Sequence, residues 1–232
     1  IIPVFNESES IGYLLDEVLN VMQTNKLNFE LIVVNDGSQD STSTVLDDLT
    51  IKINELKVIT LRKNYGQTAA MASGFDHANG DILITLDGDL QNDPNDIPNL
   101  ISNINEGYDL VCGWRYDRKD KLINRRVPSK IANKLIGQVT GLRLHDYGCS
   151  LKAFKKEIID DVKLYGELHR FLPVLANIEG AKIKEIKVNH RSRRYGSSKY
   201  GIDRTFRVLM DLLTVWFMTK FLTRPMYGFG FV

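Results

Sequence analysis

Two carboxylates one residue apart, Asp87 and Asp89, close the apolar run Ile82-Leu83-Ile84-Thr85-Leu86. Carboxylates at the end of a buried strand are costly unless a positive charge answers them, and a hard divalent cation bridging substrate phosphates is a natural partner. Asp-Gly is equally a common turn dipeptide, so a plain acidic turn is the competing reading of these residues taken alone.

Two other polar turns follow apolar runs. Asn6-Glu7-Ser8-Glu9 comes after residues 1–5, and Asn35-Asp36-Gly37-Ser38 comes after residues 31–34. Each has a local explanation: Ser8 with Glu9 can cap a following helix, and Asn-Asp-Gly-Ser-Gln-Asp-Ser reads as a turn leading into an N-cap. Three such turns on one edge of one sheet describe a pocket for a nucleoside diphosphate and a metal.

The elements that would place them there alternate. Residues 29–34, 56–61, 81–86 and 109–113 read as strands, separated by amphipathic stretches around 10–22, 41–53, 67–78 and 96–106. That order implies βαβ units and a mostly parallel α/β sheet, with ligands beyond the strands' C-terminal ends.

The 232-residue chain has 43% hydrophobic and 25% charged residues, which excludes disorder and allows one large core. Its net charge of +1 hides an asymmetry, with Asp crowding the first hundred residues and Arg and Lys crowding 115–130 and 191–207. Arg115, Arg118, Arg125 and Arg126 read either as a solvated surface run or as a phosphate-holding loop facing the acidic pocket. Cys112 and Cys149 have no ligand spacing and no disulfide framework, consistent with a reducing compartment. His77, His145, His169 and His190 are scattered and read as structural or surface histidines.

The chain opens without Met inside a strand-like run, so residues upstream are expected to be missing. From 202 to 222, Ile202, Phe206, Leu209, Met210, Leu213, Trp216, Phe217 and Phe221 recur at helical spacing, giving an amphipathic helix with a wide aromatic-rich stripe. Lys220, Arg224 and Pro225 then precede the uncharged tail 226–232, as where a chain leaves an interface for lipid. The expected organisation is a catalytic domain over 1–200, an interfacial helix region over 201–225 and the start of a membrane segment over 226–232.

Pro3-Val4-Phe5-Asn6-Glu7, Val34-Asn35-Asp36-Gly37-Ser38, Asp87-Gly88-Asp89-Leu90-Gln91 and Arg193-Arg194-Tyr195-Gly196-Ser197-Ser198-Lys199 together resemble the family-2 glycosyltransferases of GT-A (Rossmann-like) fold. Within them the chain is most similar to the polyisoprenyl-phosphate glycosyltransferases, the branch that includes dolichol-phosphate mannose synthase and the bactoprenol glucosyltransferases. The resemblance implies an inverting, metal-dependent transfer of a hexose, with glucose from UDP-glucose expected, to a polyprenyl phosphate at the cytoplasmic face of the cell membrane. It places Pro3, Phe5, Glu7 and Asp36 around the nucleoside, and Asp87, Asp89 and Gln91 around Mg²⁺ or Mn²⁺. Arg193 and Lys199 would face the diphosphate, and Arg115 and Arg126 the lipid phosphate, a role suited to the guanidinium fork.

Asp89 and Asp146 are the expected catalytic carboxylates. Asp146 would be a base toward an alcohol acceptor, but a phosphate monoester is largely ionised at pH 7, so it would instead orient the acceptor or the sugar. Homo-oligomers are allowed by the aromatic helix, and nucleic acid is not an expected partner. The competing readings are a soluble family-2 transferase extending a polysaccharide or glycan, and a non-catalytic nucleotide-binding module.

Overall fold

The computed structural model describes residues 1–117, 133, 136–138, 140–162, 164, 166, 168–195, 210 and 212–217. Arg126, Lys199, most of the helix expected over 201–225 and all of the tail 226–232 lie outside the described residues. The chain divides into two compact units, one of residues 1–120 and 146–196, the other of residues 121–145 and 197–232.

In the first unit the expected alternation is present. Strand β1 (Ile2–Val4) leads to α1 (Ile11–Thr24), β2 (Leu31–Asn35), α2 (Thr42–Lys52) and β3 (Leu56–Thr60). Helix α3 (Gln67–His77), β4 (Ile82–Thr85), α4 (Ile97–Asn105) and β5 (Leu110–Arg115) follow. Later in the chain come β6 (Lys152–Lys155), α5 (Lys156–Asp161), α6 (Leu172–Ile178) and β7 (Ile183–Val188).

β1, β2 and β3 pair in parallel in the order β1-β2-β3. The second sheet runs β4-β6-β5-β7, with β5 and β7 parallel. β6 is antiparallel to both of its neighbours. The Leu86 N–H donates to the Ile1 carbonyl (3.1 Å) and brings the two sheets together at β1 and β4. The parallel strand ends therefore collect on one edge, where βα loops can build a site.

Strand side chains alternate between two helical layers. Leu31 and Val33 of β2 share a core with Leu14, Leu15 and Val18 of α1, Leu46 of α2 and Leu100 of α4. α3 packs on β1 and β2 from the other side, close enough that a Cβ on Gly74 would sit 3.4 Å from Val34 Cγ2. All five β2 residues are buried, as a central strand covered on both faces requires, whereas in β4 only Leu83 and Thr85 are. The full coverage that the apolar run in β4 implied is therefore incomplete there.

Among the described residues, no helix is long and apolar enough to cross a membrane. Within the second unit, residues 212–217 are helical and leave Leu213, Trp216 and Phe217 exposed. An apolar stripe at i, i+3 and i+4 that its own unit does not cover is in line with the amphipathic pattern of the sequence.

Candidate active site

The β1 and β2 ends are tied to each other by their polar side chains. The Asn6 N–H donates to Ser38 Oγ (2.9 Å), the Gln39 N–H to Asn6 Oδ1 (2.7 Å), and the Glu7 N–H to Thr42 Oγ1 (2.9 Å). Local capping explains only part of these turns: the Thr42 N–H, at the start of α2, donates to Asp40 Oδ1 (3.0 Å). Ser10 and Ser41 stand at the N-caps of α1 and α2 without a side-chain cap bond. The Ser10 hydroxyl instead donates to the Gly88 carbonyl (2.8 Å) and lies 2.9 Å from a Glu7 carboxylate oxygen. Ser10 thus joins the first turn to the Asp87–Asp89 turn, a link no local pattern reveals because the partners are 78 residues apart.

Asp36 is buried, and both its oxygens accept backbone N–H groups, from Tyr65 (2.7 Å) and Gly66 (2.9 Å). Burial raises its pKa above the ordinary carboxylate value, and the two backbone bonds only partly oppose that. Its visible work is to hold the loop after β3 against the edge. The neighbouring Gly37 has φ of +65°, and a Cβ there would come within 2.4 Å of the Lys63 carbonyl carbon, so only glycine allows this approach.

The Asp87-Gly88-Asp89 turn sits against the end of β1, where a Cβ on Gly88 would meet Val4 Cγ1 at 2.8 Å. Asp87 accepts from Gln67 Nε2 (2.8 Å), at the first residue of α3. Asp89 accepts from Arg193 Nη2 (2.6 Å) and from the Gln91 N–H (3.1 Å), and the same Arg193 nitrogen lies 3.4 Å from Gln91 Oε1. Leu90, buried between them, has φ of +61°, a left-handed conformation costing a leucine about 1 kcal/mol or more. Strain of this kind is kept where the surroundings over-determine the backbone, and here it turns Asp89 and Gln91 toward Arg193.

Burial, and then repulsion from Asp87, push the Asp89 pKa up to about 6 against the pull of Arg193. Two carboxylates that one guanidinium does not fully compensate are a donor set suited to a hard cation. Among the described residues, no three His, Cys, Asp or Glu side chains gather into a metal cage. An ion held by one or two carboxylates and completed by substrate phosphates and water needs no such cage.

The segment bearing Arg193 is fastened along its length. The Asn189 N–H donates to Asp96 (2.7 Å), the Arg191 N–H to the Gln91 carbonyl (2.8 Å), and the Arg191 guanidinium pairs with Glu17 (2.6 Å) and Asp93 (2.9 Å). Tyr195 stacks on Tyr13 with centroids 5.9 Å apart. Between this segment and α1 lies a cleft of about 420 Å³ lined by Glu17, Leu90 and residues 191–194.

Arg115, at the end of β5, grips Asp146 with its Nε (2.6 Å) and Nη2 (2.8 Å), and Asp146 also accepts from the Gly148 N–H (3.1 Å). Burial lowers the Arg115 pKa, but the two bonds to Asp146 outweigh it and hold the guanidinium charged. A carboxylate engaged on both oxygens has little to offer a proton. Pro3, Phe5 and Glu7 stand on the same edge at the end of β1. Lys199 and Arg126 lie outside the described residues.

Sequence reading missed Ser10, Thr42, Gln67 and a second set under Asp146. Thr85 Oγ1 donates to the Ser150 carbonyl (2.5 Å) and Asn92 Nδ2 to Ser150 Oγ (2.7 Å), so Ser150 links the loop after β4 to the loop that carries Asp146. The histidine reading stands at two positions: His169 is buried with Nδ1 2.8 Å from Thr68 Oγ1, and His77 is exposed against the Ser73 carbonyl.

Both cysteines are buried and reduced. Burial pushes their thiols up, Cys112 to about 12 and Cys149 to about 11. Buried and held protonated, both thiols should escape iodoacetamide at pH 8 in the folded protein and be labelled in urea. Labelling of the native protein, followed by mass spectrometry, would show that the fold around them opens.

Residues 1–163 match the model of glycosyl transferase family 2. The chain is 47% identical to dodecaprenyl-phosphate galacturonate synthase from Rhizobium johnstonii, over 99% of this chain and 69% of that protein. It is 41% identical to undecaprenyl-phosphate 4-deoxy-4-formamido-L-arabinose transferase from Proteus mirabilis, over 92% of this chain and 66% of that protein. The chain thus spans about two thirds of the length of these relatives. Among solved structures, glucosyl-3-phosphoglycerate synthase from Mycobacterium tuberculosis in complex with Mn²⁺ and UDP-glucose superposes with a TM-score of 0.70 at 18% identity, covering 94% of this chain and 77% of that one. That likeness shows the fold, which is GT-A.

Proposed function

The chain belongs to glycosyl transferase family 2, and from that premise we propose that it transfers a sugar, with inversion, from a nucleoside diphosphate to a polyprenyl phosphate at the cytoplasmic face of a membrane. The observation that carries the donor side is the partly buried Asp89 carboxylate beside Asp87, with Arg193 bridging Asp89 and Gln91 at the sheet's C-terminal edge. Asp87, Asp89 and Gln91 would hold Mg²⁺ or Mn²⁺, whose charge when bound offsets that developing on the leaving nucleoside diphosphate.

Arg193, and Lys199 by the resemblance, share that charge. Pro3, Phe5, Glu7 and Asp36 frame the nucleoside on the loops that Ser38, Thr42 and the Tyr65–Gly66 amides hold together. Asp146 fixes the plane of the Arg115 guanidinium. Two of the five guanidinium N–H groups serve Asp146, and the side chain keeps donor capacity for an acceptor phosphate. Arg126 is the second phosphate ligand of this reading. No base is needed, because a phosphate monoester arrives already ionised.

The lipid acceptor is supported by the polyprenyl phosphates in the names of both relatives and by the exposed Leu213, Trp216 and Phe217, which suit an interfacial helix. The sugar is the finer part of the proposal. Glucose is the expectation from the sequence, while the relatives are named for galacturonate and formamido-arabinose. A panel of UDP-glucose, UDP-galacturonate, UDP-GlcNAc and GDP-mannose, each with and without Mn²⁺, should give one donor consumed only when metal is present. Flotation with anionic liposomes should carry the protein upward. A protein that stays at the bottom and glycosylates a soluble glycan would establish the alternative transferase instead.

A further inference from the structure

Lys152 is the first residue of β6 and is buried, with 3% of its surface exposed. A lysine head in that position needs partners, since an unpaired charged or polar group inside a core costs several kcal/mol. Those partners are the carbonyls of Tyr147 (3.4 Å) and Cys149, both in the loop that begins at Asp146. Backbone carbonyls of a loop are a poor reason to bury a lysine unless the loop's position matters.

The rest of the loop is fixed to the same degree. The Asp146 N–H donates to Glu185 on β7 (2.9 Å), its carboxylate takes the Arg115 fork, and the Ser150 carbonyl takes the Thr85 hydroxyl. The Leu151 carbonyl accepts from the Gly113 N–H (2.9 Å). Arg115, Lys152, Asp146 and Glu185 carry formal charges that sum to zero. Charge from Lys152 and Asp146 reaches both buried thiols, so the four side chains form one balanced cluster beneath the loop.

We propose that Lys152 is a positioning residue for the acceptor side of the reaction: by holding the Tyr147 and Cys149 carbonyls it sets the Asp146 loop and, through Asp146, the direction of the Arg115 guanidinium. The inference rests on the reading of Arg115 as the acceptor-phosphate ligand. The hydrogen bonds of Lys152 go to the Asp146 loop, so donor binding, which depends on Asp87, Asp89 and Arg193, should change less than acceptor binding. An error of about 1 Å in a positioned group can cost on the order of a hundredfold in rate, so a misplaced Arg115 should be felt in turnover and in acceptor KM.

The test compares Lys152→Met, which keeps length and removes every donor, with Lys152→Arg, which keeps donors. In the wild-type frame of prenyl-phosphate transfer, Lys152→Met should raise acceptor KM and lower kcat/KM for the acceptor by about tenfold or more. Nucleotide-sugar KM and its calorimetric Kd should stay within about twofold, and Lys152→Arg should recover most of the loss. Equal damage to donor and acceptor parameters, or none to either, would overturn the inference. If Lys152→Met does not fold, Lys152→Gln, which removes the charge and keeps a shorter amide donor group, carries the same comparison, and failure of both to fold would assign Lys152 to stability and overturn it too. A wild-type protein inactive with every prenyl phosphate would instead overturn the reading of the acceptor.

Discussion

Asp89→Ala should reduce sugar transfer by about a thousandfold or more while leaving the thermal melt close to that of the wild type. The carboxylate is partly buried beside Asp87, and its pKa is pushed up to about 6, so the folded protein gains little from its ionised form. Removing it relieves that repulsion even as it releases Arg193, and the two effects on stability oppose each other. Function has no such compensation, because Asp89 is where the Gln91 backbone and the Arg193 guanidinium converge, beside the proposed diphosphate site. Asp89→Asn should be nearly as inactive, since it keeps the shape and loses the charge. Near-normal transfer by a folded Asp89→Ala protein, measured with saturating Mn²⁺, would remove the metal from its assigned ligands.

The second large effect falls on stability. Arg115→Met should cost about 3–5 kcal/mol, because it strands Asp146 as a buried carboxylate without its partner. The two side chains are only 15% and 5% exposed, so solvent does little to screen the loss. For a chain of this size that corresponds to a melting temperature lower by roughly 6–20 °C, measurable by circular dichroism. The double variant Arg115→Met/Asp146→Leu should recover part of it, since it removes the stranded charge as well, and the shortfall from additivity measures the pair. A single variant that melts within about 2 °C of wild type would mean that the pair contributes as weakly as one on the surface.

The parts of the fold legible in the sequence are those where local chemistry and tertiary need agree. Strands at 31–35, 56–60, 82–85 and 110–115 are apolar runs bounded by turn residues, and each expected strand overlaps the observed one. β6 was missed because Lys-Ala-Phe-Lys carries two lysines in four residues and looks like a surface segment. Lys152 is nevertheless buried, for a reason that only its partners in the Tyr147–Cys149 loop supply. β7 mixes Ile and Val with Lys and Glu without strict alternation, a weak signal beside the continuous runs, and it lies at the end of the β4-β6-β5-β7 sheet where half-burial is enough.

The same division holds in the site. Asp87, Asp89 and Gln91 stand in one short motif and were readable as a group. Arg193 meets Asp89 across 104 positions of sequence, and Gln67 meets Asp87 across 20. Arg193 was reached only through the family pattern. Gln67 was not reached at all, because a glutamine opening a helix has nothing local to mark it. Ser10 and Thr42 were not reached either: their hydroxyls tie strand ends together through partners distant in sequence, in addition to the local ones.

The most direct measurement is mass-spectrometric detection of product after the protein is incubated with the nucleotide-sugar panel, Mn²⁺ and a short polyprenyl phosphate in detergent, alongside an equal concentration of the corresponding prenyl alcohol. The account predicts a prenyl-phosphate sugar of inverted anomeric configuration, dependent on metal, and no product from the alcohol. Sugar transfer to the alcohol or to a soluble glycan, with the prenyl phosphate untouched, would contradict it.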